Sequence, residues 1–321
     1  MGIPVLVTGG AGYIGSHVCK ALKQDGFFPI TLDNLSLGHK SAVKWGPLIQ
    51  GDISDQSLVK ELCVSYHPVG LIHLAALSNV RESHLEPLQY YKNNVKGTID
   101  LLDATKGYLK YIVFSSTCAT YGLPTSIPIL ESHPQNPISP YGQSKWIVEQ
   151  ILKEIAKTGS IQISLLRYFN AAGADPEGEI GESHHPETHL IPLLLQTVLK
   201  KQSHFTLYGD DHGTPDGTPI RDFIHVSDLA TSHVASLRWM MKHQENLELN
   251  IGTGKGYSIR EVMQRIEFLL GVQIPIIKGK KYDGDPPILI ADNRKVKETL
   301  EWTPKYSDLD QMIQTAWNFA K

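Results

Sequence analysis

A tyrosine and a lysine in the middle of the chain have the spacing of a catalytic pair. Tyr141 and Lys145 lie four residues apart in a segment of helical pattern, so their side chains are expected on one helix face. A positive charge beside a phenol lowers its pKa from about 10 toward neutral pH, where the phenolate can accept a proton. This spacing also occurs on ordinary helix surfaces, so the pair needs a second signal. Ser115, Ser116 and Thr117 provide it, because they end the preceding predicted strand, at the sheet edge where open α/β folds bind ligands.

A glycine-rich turn near the start of the chain has the pattern of a dinucleotide site. The run Thr8-Gly9-Gly10-Ala11-Gly12-Tyr13-Ile14-Gly15-Ser16-His17 leaves the first predicted strand and opens the first predicted helix. Gly9, Gly12 and Gly15 would permit a tight turn and close approach to a pyrophosphate, which the helix N–H groups bind. Asp33 follows 18 residues after Gly15, and its carboxylate would bind a ribose diol and repel a 2′-phosphate, which favours NAD over NADP. The alternative, a glycine turn with a surface aspartate, fits this context less well. Together with the Tyr–Lys pair, the turn predicts hydride chemistry on an alcohol.

Both signals need a parallel sheet to position them, and the first half of the chain has that pattern. Strands are predicted at residues 4–8, 29–33, 48–51, 69–75, 111–115 and 162–170. Helices are predicted at residues 14–24, 56–65, 88–105 and 143–158. This alternation predicts an α/β fold of Rossmann type, a doubly wound parallel sheet covered by helices on both faces.

Beyond residue 170 the chain becomes rich in glycine, proline, histidine and acidic residues. We therefore expect a Rossmann domain over residues 1–170, with chain returns from the second half, and a smaller α/β lobe over residues 171–321. A helix is predicted at 190–200, and Ser258 and Glu261 have the spacing of a capping box before a helix that ends near Leu270. The glycines at 252–256 lack the spacing of a phosphate-binding loop and indicate a strand-to-helix turn.

Composition narrows the classes of partner. The 321 residues include 30 Lys and Arg against 33 Asp and Glu, so no positive excess is available for nucleic acid or an anionic bilayer. No apolar run approaches the ~18 residues of a spanning helix, and the N-terminal residues show no pattern of an export signal. Three cysteines, Cys19, Cys63 and Cys118, are few and far apart, which is typical of a reducing compartment. We expect a cytoplasmic protein.

The sequence resembles the extended short-chain dehydrogenase/reductase superfamily, and within it the epimerases that interconvert UDP-galactose and UDP-glucose. The resemblance runs nearly end to end. Its motifs are residues 8–15, Asp33-Asn34-Leu35-Ser36, Gly51-Asp52-Ile53, His73-Leu74-Ala75-Ala76, Tyr90-Tyr91-Lys92-Asn93-Asn94-Val95, residues 115–122 and 141–145, Arg167-Tyr168-Phe169-Asn170, Glu187-Thr188-His189-Leu190-Ile191-Pro192 and Arg221-Asp222-Phe223-Ile224-His225-Val226. The last two, with Tyr208-Gly209 and Gly284-Asp285, favour the epimerase branch.

The resemblance implies an isomerase that borrows a redox cofactor. Tyr141 would remove the proton of the sugar 4-hydroxyl while the C4 hydride passes to the nicotinamide. Lys145 would hold the nicotinamide ribose and keep Tyr141 acidic, and Thr117 would hydrogen-bond the 4-oxygen. The 4-keto sugar would then turn over and take the hydride back on its other face, so that NAD stays bound.

The same resemblance implies two sets of binding residues. The NAD set is Gly9, Gly12, Tyr13, Ile14, Gly15, Asp33, Asn34, Asp52, Ile53, Leu74, Ala75, Asn93, Ser115, Tyr141, Lys145 and Tyr168. The UDP-sugar set is Thr117, Tyr141, Asn170, His189, Leu190, Tyr208, Arg221 and Asp285. Arg221 can fork onto a diphosphate and Tyr208 can stack on a uracil. The second lobe is accordingly expected to bind mainly the UDP-sugar.

Several positions depart from the pattern of the family. Ser78 stands where some members carry a lysine, and Tyr282 stands where an arginine usually contacts phosphate, so that Lys280 or Lys281 would have to replace it. Leu289 falls where the family adjusts the room for the sugar. Acceptance of UDP-N-acetylhexosamines, or of UDP-xylose and UDP-arabinose, therefore stays open.

Two more distant functions share the fold. A sugar-nucleotide 4,6-dehydratase would carry Asp-Glu directly after the threonine, where this chain has Cys118-Ala119. A non-catalytic NAD-binding sensor would tend to lose the Tyr–Lys pair, which is present here. Both functions are disfavoured.

Two further expectations concern metals and assembly. His184, His185 and His189 could imitate a metal cluster, but their spacing fits no standard zinc pattern, and no metal is expected. The family implies a homodimer through the helices at 88–105 and 143–158.

Overall fold

The computed structural model describes residues 2–282 and 284–321 and contains a large parallel sheet with helices on both sides. The strands are β1 (Ile3–Thr8), β2 (Phe27–Asp33), β3 (Leu48–Gln50), β4 (Gly70–His73), β5 (Tyr111–Thr117), β6 (Gln162–Tyr168), β7 (Asn170–Ala172), β8 (Phe205–Tyr208), β9 (Ile220–His225), β10 (Leu247–Ile251), β11 (Gly256–Ser258), β12 (Ile276–Gly279) and β13 (Ile288–Leu289). The α-helices are α1 (Tyr13–Gln24), α2 (Gln56–Tyr66), α3 (Val80–Leu85), α4 (Pro87–Tyr90), α5 (Gly97–Thr105), α6 (Pro140–Ala156), α7 (Leu190–Val198), α8 (Val226–His243), α9 (Ile259–Leu270), α10 (Arg294–Leu300) and α11 (Leu309–Ala320).

The main sheet has seven strands in the order β10-β6-β5-β4-β1-β2-β3, all parallel. Its central strands are apolar on both faces because helices cover both, and two separate groups of buried aliphatic side chains lie on its two sides. The predicted Rossmann-type fold is therefore confirmed. Strand β10 and helix α8 come from the second half of the chain, so the chain does return to the sheet.

The remaining strands build the smaller lobe. Strands β7, β9, β11 and β13 form one sheet, and β8 pairs with β12 in another. Helices α7, α9 and α11 contribute to a third apolar core beside them. The predicted capping box is confirmed, because Ser258 caps α9, accepts from the Glu261 amide and donates its own amide to the Glu261 carboxylate, while Gly271 ends that helix in the left-handed conformation.

Three predicted features differ from the structure. The helix predicted at 88–105 is interrupted, because a π-helical turn at Tyr91–Lys96 separates α4 from α5. The strand predicted at 162–170 is two strands, since β6 ends at Tyr168 and β7 belongs to the sheet of the smaller lobe. The glycines at 252–256 connect β10 to the short strand β11 rather than directly to a helix. In the part of the chain that the structure describes, no helix is both long and apolar enough to cross a membrane.

Candidate active site

A cavity of about 1070 Å³ lies along the carboxyl ends of the main strands. Its walls include the residues that follow β1, β2, β4 and β5, together with loops of the smaller lobe. Ligand pockets usually measure about 300–1,000 Å³, so this cavity is at the upper end of that range. The position is the one expected for ligands of open parallel sheets.

The glycine turn forms the floor of one end of the cavity. Gly9 has φ +73°, and a Cβ there would lie 2.7 Å from the Ala75 nitrogen, so a side chain is excluded. A Cβ at Gly15 would overlap the Gly9 carbonyl oxygen, whereas one at Gly12 would meet only that oxygen at 3.3 Å. Helix α1 begins after Gly12 without a side-chain cap and without an acidic residue in its first turn. Its free N–H groups therefore face the cavity as an anion-binding helix terminus.

Asp33 lies beside this turn and is 92% buried, since its exposed fraction is 8%. Its Oδ2 accepts a hydrogen bond from the Ala11 amide at 2.9 Å, and its Oδ1 accepts from the Leu35 amide at 2.8 Å. Each oxygen keeps a lone pair for a hydroxyl donor in the cavity. Farther along the wall, the Asn34 amide donates to Asp52 Oδ2 at 2.8 Å. The uncapped helix start and this carboxylate fit the diphosphate and the ribose of a dinucleotide.

The Tyr–Lys pair also lies on the wall of this cavity. Tyr141 is in the first turn of α6, where Ser139 caps the helix and Pro140 begins it. The Thr117 side chain at the end of β5 lines the same cavity and lowers the pKa of this phenol, against the effect of burial. Lys145, one turn later, donates from Nζ to the Ser115 carbonyl oxygen at 2.9 Å. The structure thus brings together the three side chains predicted to be catalytic.

The predicted lowering of the phenol pKa is wrong for this structure. Burial raises the pKa of Tyr141 to about 12, although the hydrogen bond from Thr117 opposes the shift. Burial also lowers the pKa of Lys145 to about 7, against the attraction of Glu149. Burial removes the charged form of each side chain from water, and this costs more free energy than the attraction of neighbouring groups provides. Burial therefore outweighs the pKa effect expected from the four-residue spacing of Tyr141 and Lys145.

A polar network behind Tyr141 was not predicted from the sequence. The Asn94 amide nitrogen donates to Ser144 Oγ at 3.0 Å, and Ser144 donates in turn to the Tyr141 carbonyl oxygen at 2.7 Å. Asn94 also exchanges two hydrogen bonds of 2.9 Å with the main chain of Leu77. Asn94 lies in the π-helical turn, a feature frequent at functional sites. The sequence signal that could have indicated this turn was the pair Asn93 and Asn94, because asparagine is a poor helix former and both lie inside a helical pattern.

The cavity wall also includes residues of the smaller lobe. Asn170, His189, Arg221 and Asp285 lie on its wall, as predicted. Arg221 donates from Nη2 to Asp285 Oδ1 at 2.7 Å, so these two predicted residues form a salt bridge. Burial lowers the pKa of Arg221, although Asp285 opposes this shift.

Three predicted contact residues do not lie on the cavity wall. Ser115 lies behind it, where its hydroxyl is 2.7 Å from His233 Nε2. Leu190 begins α7 and packs against the core of the smaller lobe. Tyr208 faces the Tyr282 ring, with the two ring centres 4.8 Å apart. The other predicted NAD and UDP-sugar residues are on the wall, and these are Gly9, Gly12, Tyr13, Ile14, Gly15, Asp33, Asn34, Asp52, Ile53, Leu74, Ala75, Asn93, Thr117, Tyr141, Lys145, Tyr168, Asn170, His189, Arg221 and Asp285.

Two of the three histidines considered as metal ligands, His184 and His189, lie close to the two glutamates Glu182 and Glu187. Potential ligand atoms of Glu182, His184, Glu187 and His189 all lie within 4.8 Å of one another, whereas His185 is outside this group. Burial disfavours a charged His189, but Glu182 raises its pKa to about 10, and the histidines lower the pKa of Glu182 to about 2. These groups are joined by hydrogen bonds and an ion pair. The absence of a metal remains a prediction.

A parallel sheet with a glycine turn and a Tyr–Lys–Thr group on the wall of one cavity defines a nucleotide-dependent α/β enzyme that acts on an alcohol. The model of the NAD dependent epimerase/dehydratase family matches residues 5–252, and this chain belongs to that family.

Individual relatives agree in their names. The UDP-glucose 4-epimerase of Rhizobium leguminosarum bv. trifolii is 46% identical over 319 residues, which cover 99% of this chain and 97% of the relative. The crystal structure of UDP-glucose 4-epimerase from Brucella ovis in complex with NAD has a TM-score of 0.96 and 48% identity, and covers 99% of this chain and 98% of that one. The enzyme from Bifidobacterium longum in complex with NAD+ and UDP has a TM-score of 0.93 and 35% identity, with 98% and 97% covered.

Proposed function

We propose that this chain is an isomerase that interconverts UDP-galactose and UDP-glucose at carbon 4 with retained NAD. The observation that carries the proposal is the meeting of Tyr141, Lys145 and Thr117 in one cavity with the uncapped start of α1. The relatives named above are UDP-glucose 4-epimerases, and this chain is similar to them over almost their full length. This similarity supports the choice of reaction within the family.

The residues that would hold NAD follow from the shape of the cavity. The amides of Tyr13 and Ile14 at the start of α1 would bind its diphosphate, and Asp33 would accept hydrogen bonds from the adenosine ribose. Asn34, Asp52 and Ile53 lie beyond Asp33, where the adenine would fit. When bound, NAD supplies a reversible hydride acceptor for carbon 4 of the sugar.

The remaining steps belong to side chains of the chain itself. Tyr141 accepts the proton of the sugar 4-hydroxyl, and Thr117, on the same cavity wall, donates to the 4-oxygen. Because burial raises the pKa of this phenol to about 12, a cation beside it is needed to stabilise the phenolate. Lys145 provides that cation in its protonated form, which is populated at and below a pH near its pKa of about 7. After the 4-keto sugar has turned and carbon 4 has regained the hydride on its other face, Tyr141 returns the proton to the 4-oxygen, which restores the alcohol with inverted configuration.

The UDP part of the substrate would lie against the smaller lobe. Arg221 would bind the diphosphate with its fork of N–H donors, and Asn170 and His189 would contact the same end of the ligand. Asp285 would bind ribose hydroxyls. Leu190 and Tyr208 stay predictions as uracil contacts, since both lie off the cavity wall in this structure.

The experiment that tests the function is product identification without added cofactor. Purified protein is incubated in parallel with UDP-galactose, UDP-N-acetylgalactosamine and UDP-xylose, and the products are separated. We expect conversion of UDP-galactose to UDP-glucose and release of NAD only on denaturation. Conversion of another UDP-sugar alone would transfer the proposal to that substrate. Protein that neither contains nor binds a dinucleotide would contradict the proposal.

We further propose the roles of the two domains, the homodimer and the cytoplasmic location that the resemblance implies. Residues 1–170 with the returning strand β10 would form the NAD domain, and residues 171–321 would form mainly the UDP-sugar lobe.

A homodimer through the helices near 88–105 and 143–158 is supported by the exposure of Leu88 (71%) and Ile99 (46%). Light scattering that shows a monomer would remove the dimer. A cytoplasmic location is supported by three buried, unpaired cysteines and is tested by fractionation of the source cells.

A further inference from the structure

The guanidinium of Arg81, from the first half of the chain, lies over the rings of two tyrosines of the second half, Tyr208 and Tyr282. The Arg81 guanidinium carbon lies 3.9 Å from the centre of the Tyr282 ring and 4.6 Å from the centre of the Tyr208 ring. The ring centres of the two tyrosines are 4.8 Å apart, with planes inclined by 47°. Arg81 and Tyr282 line the cavity beside Asp285. This arrangement spans the cleft between helix α3 and the loop that follows β12.

The cavity wall carries few positive charges that could balance the phosphates of a UDP-sugar. The diphosphate of a UDP-sugar carries a negative charge on each phosphate. Among the described residues, the lysines and arginines on the cavity wall are Arg81, Lys145 and Arg221. Arg221 is already paired with Asp285 at 2.7 Å, and Lys145 donates to a main-chain oxygen at the end of β5. These two cations therefore leave much of the diphosphate charge unbalanced.

The residue at position 282 does not supply the positive charge that the diphosphate needs. Tyr282 stands where the family resemblance places an arginine, and its ring cannot balance a phosphate. The lysine next to it does not fill the gap, because Lys281 Nζ lies 3.4 Å from the Asp211 carbonyl oxygen and 3.5 Å from its carboxylate. A guanidinium that lies over an aromatic ring, however, keeps N–H donors that can bind phosphate oxygens.

We propose that Arg81 binds the diphosphate of the UDP-sugar and that Tyr282 is the positioning residue that holds its guanidinium plane. This inference rests on the proposed function and names a further residue of the same site. The cation that the family places at position 282 is supplied here from α3, and the aromatic ring at 282 orients it. Arg81 contacts the tyrosine rings whereas Arg221 pairs with Asp285, so the two arginines would bind the diphosphate from differently supported positions on the cavity wall.

The test compares ligands that differ only in phosphate number. NAD-containing wild type, Arg81→Ala, Arg81→Lys and Tyr282→Leu are titrated calorimetrically with UDP, UMP and uridine, and bound NAD is measured in each preparation. We expect Arg81→Ala to weaken UDP binding roughly 10- to 100-fold, UMP binding less, and uridine binding not at all. Arg81→Lys should recover part of the loss, because it keeps the charge without the planar fork. Tyr282→Leu should show a smaller loss that is also confined to the phosphate-bearing ligands.

Arg294→Ala is the matched control, because its side chain is 73% exposed and pairs with Asp292 outside the cavity. It should bind all three ligands as the wild type does. Wild-type affinity for UDP in Arg81→Ala would overturn the role of Arg81 alone. An equal loss for UDP, UMP and uridine would also overturn it, since that result indicates a structural effect. A wild type that contains NAD but binds no UDP would overturn the proposed function itself.

Discussion

Lys145 Nζ and the carbonyl oxygen of Ser115 are joined by a hydrogen bond of 2.9 Å that ties helix α6 to the end of strand β5. Thr117 lies two residues farther along the strand and therefore on the same face as Ser115. Helix α6 thus carries both Tyr141 and Lys145, strand β5 carries Thr117, and the hydrogen bond from Lys145 joins the two elements. This arrangement fixes the relative positions of the three groups without using any loop side chain.

Tyr141→Phe removes the proposed base and leaves the ring. The variant should fold and retain NAD, and its epimerase turnover should fall by about 10²–10⁴, the usual contribution of a general base. Turnover is measured by conversion of UDP-galactose, and bound NAD by absorbance after denaturation. Activity equal to that of the wild type would exclude Tyr141 as the base.

Lys145 should make stability depend on pH in a defined direction. The unfolded chain keeps this proton to about pH 10.4, whereas the folded protein releases it near its pKa of about 7. Between these values the unfolded state binds more protons, so the lysine makes the free energy of unfolding rise by about 1.4 kcal/mol per pH unit. Urea unfolding of NAD-free protein between pH 7.5 and 9.5 should show that Lys145→Met lacks this increment.

The comparison with Lys145→Met is needed because His189 acts in the opposite direction. Burial disfavours its charged form, but Glu182 raises its pKa to about 10, so its contribution is present at low pH and is lost as the pH rises through that value. Subtracting the variant from the wild type isolates the lysine. Identical slopes in the two proteins would contradict the burial argument for Lys145.

Asp33→Ser tests discrimination between the two dinucleotides. The carboxylate is expected to bind the ribose diol of NAD and to repel the 2′-phosphate of NADP. Its loss should weaken NAD roughly 10- to 100-fold and improve the binding of NADP. Fluorescence titration of NAD-free protein with both dinucleotides measures the ratio, and an unchanged preference would refute the role of Asp33.

Gly12→Ala and Gly15→Ala form a matched pair within one turn. A Cβ at Gly15 overlaps the Gly9 carbonyl oxygen, so Gly15→Ala should lower the melting temperature as well as NAD binding. A Cβ at Gly12 meets protein only at 3.3 Å and otherwise enters the cavity. Gly12→Ala should therefore retain stability and lose NAD affinity by roughly 10-fold or more, the cost of overpacking. Equal melting temperatures for the two variants would contradict this distinction.

The buried pair Glu149 and Arg167 should dominate the stability of the region behind the site. Both side chains are at most 1% exposed, and Arg167 Nη2 donates to Glu149 Oε2 at 2.6 Å. Glu149→Ala leaves a buried, partly uncompensated guanidinium and should cost about 3–5 kcal/mol of the free energy of unfolding. The double variant Glu149→Leu with Arg167→Met should be more stable than Glu149→Ala, as urea unfolding can show. A double variant that is less stable would contradict the argument.

Local sequence signals predicted the fold and the positions of most site residues well. The glycine turn, the alternation of strands and helices, and the capping box at Ser258 depend on neighbouring residues, whose spacing is visible in the chain. These features placed Asp33, Tyr141 and Thr117 correctly at the carboxyl edge of the sheet, because parallel strands end at one edge.

Features that depend on tertiary contacts were missed. The phenol pKa depends on how deeply Tyr141 is buried, which the spacing to Lys145 does not reveal. The π-helical turn is stabilised by contacts of Asn94 with Ser144 and Leu77, residues far from it in sequence. Likewise, the position of Arg81 upon Tyr282 brings together residues from opposite halves of the chain, and no local pattern contains that information.

The edge strand β10, Leu247–Ile251, pairs with β6 although about 80 residues separate the two strands. Until that segment has left the ribosome, one side of β6 must stay unpaired, with its backbone amides open to other chains. During synthesis the nascent sheet is therefore incomplete over a long stretch of translation, a period in which aggregation or chaperone binding competes with folding. Slowing translation before β10 has left the ribosome should prolong that exposure, whereas a slow stretch after β10 has left the ribosome should not.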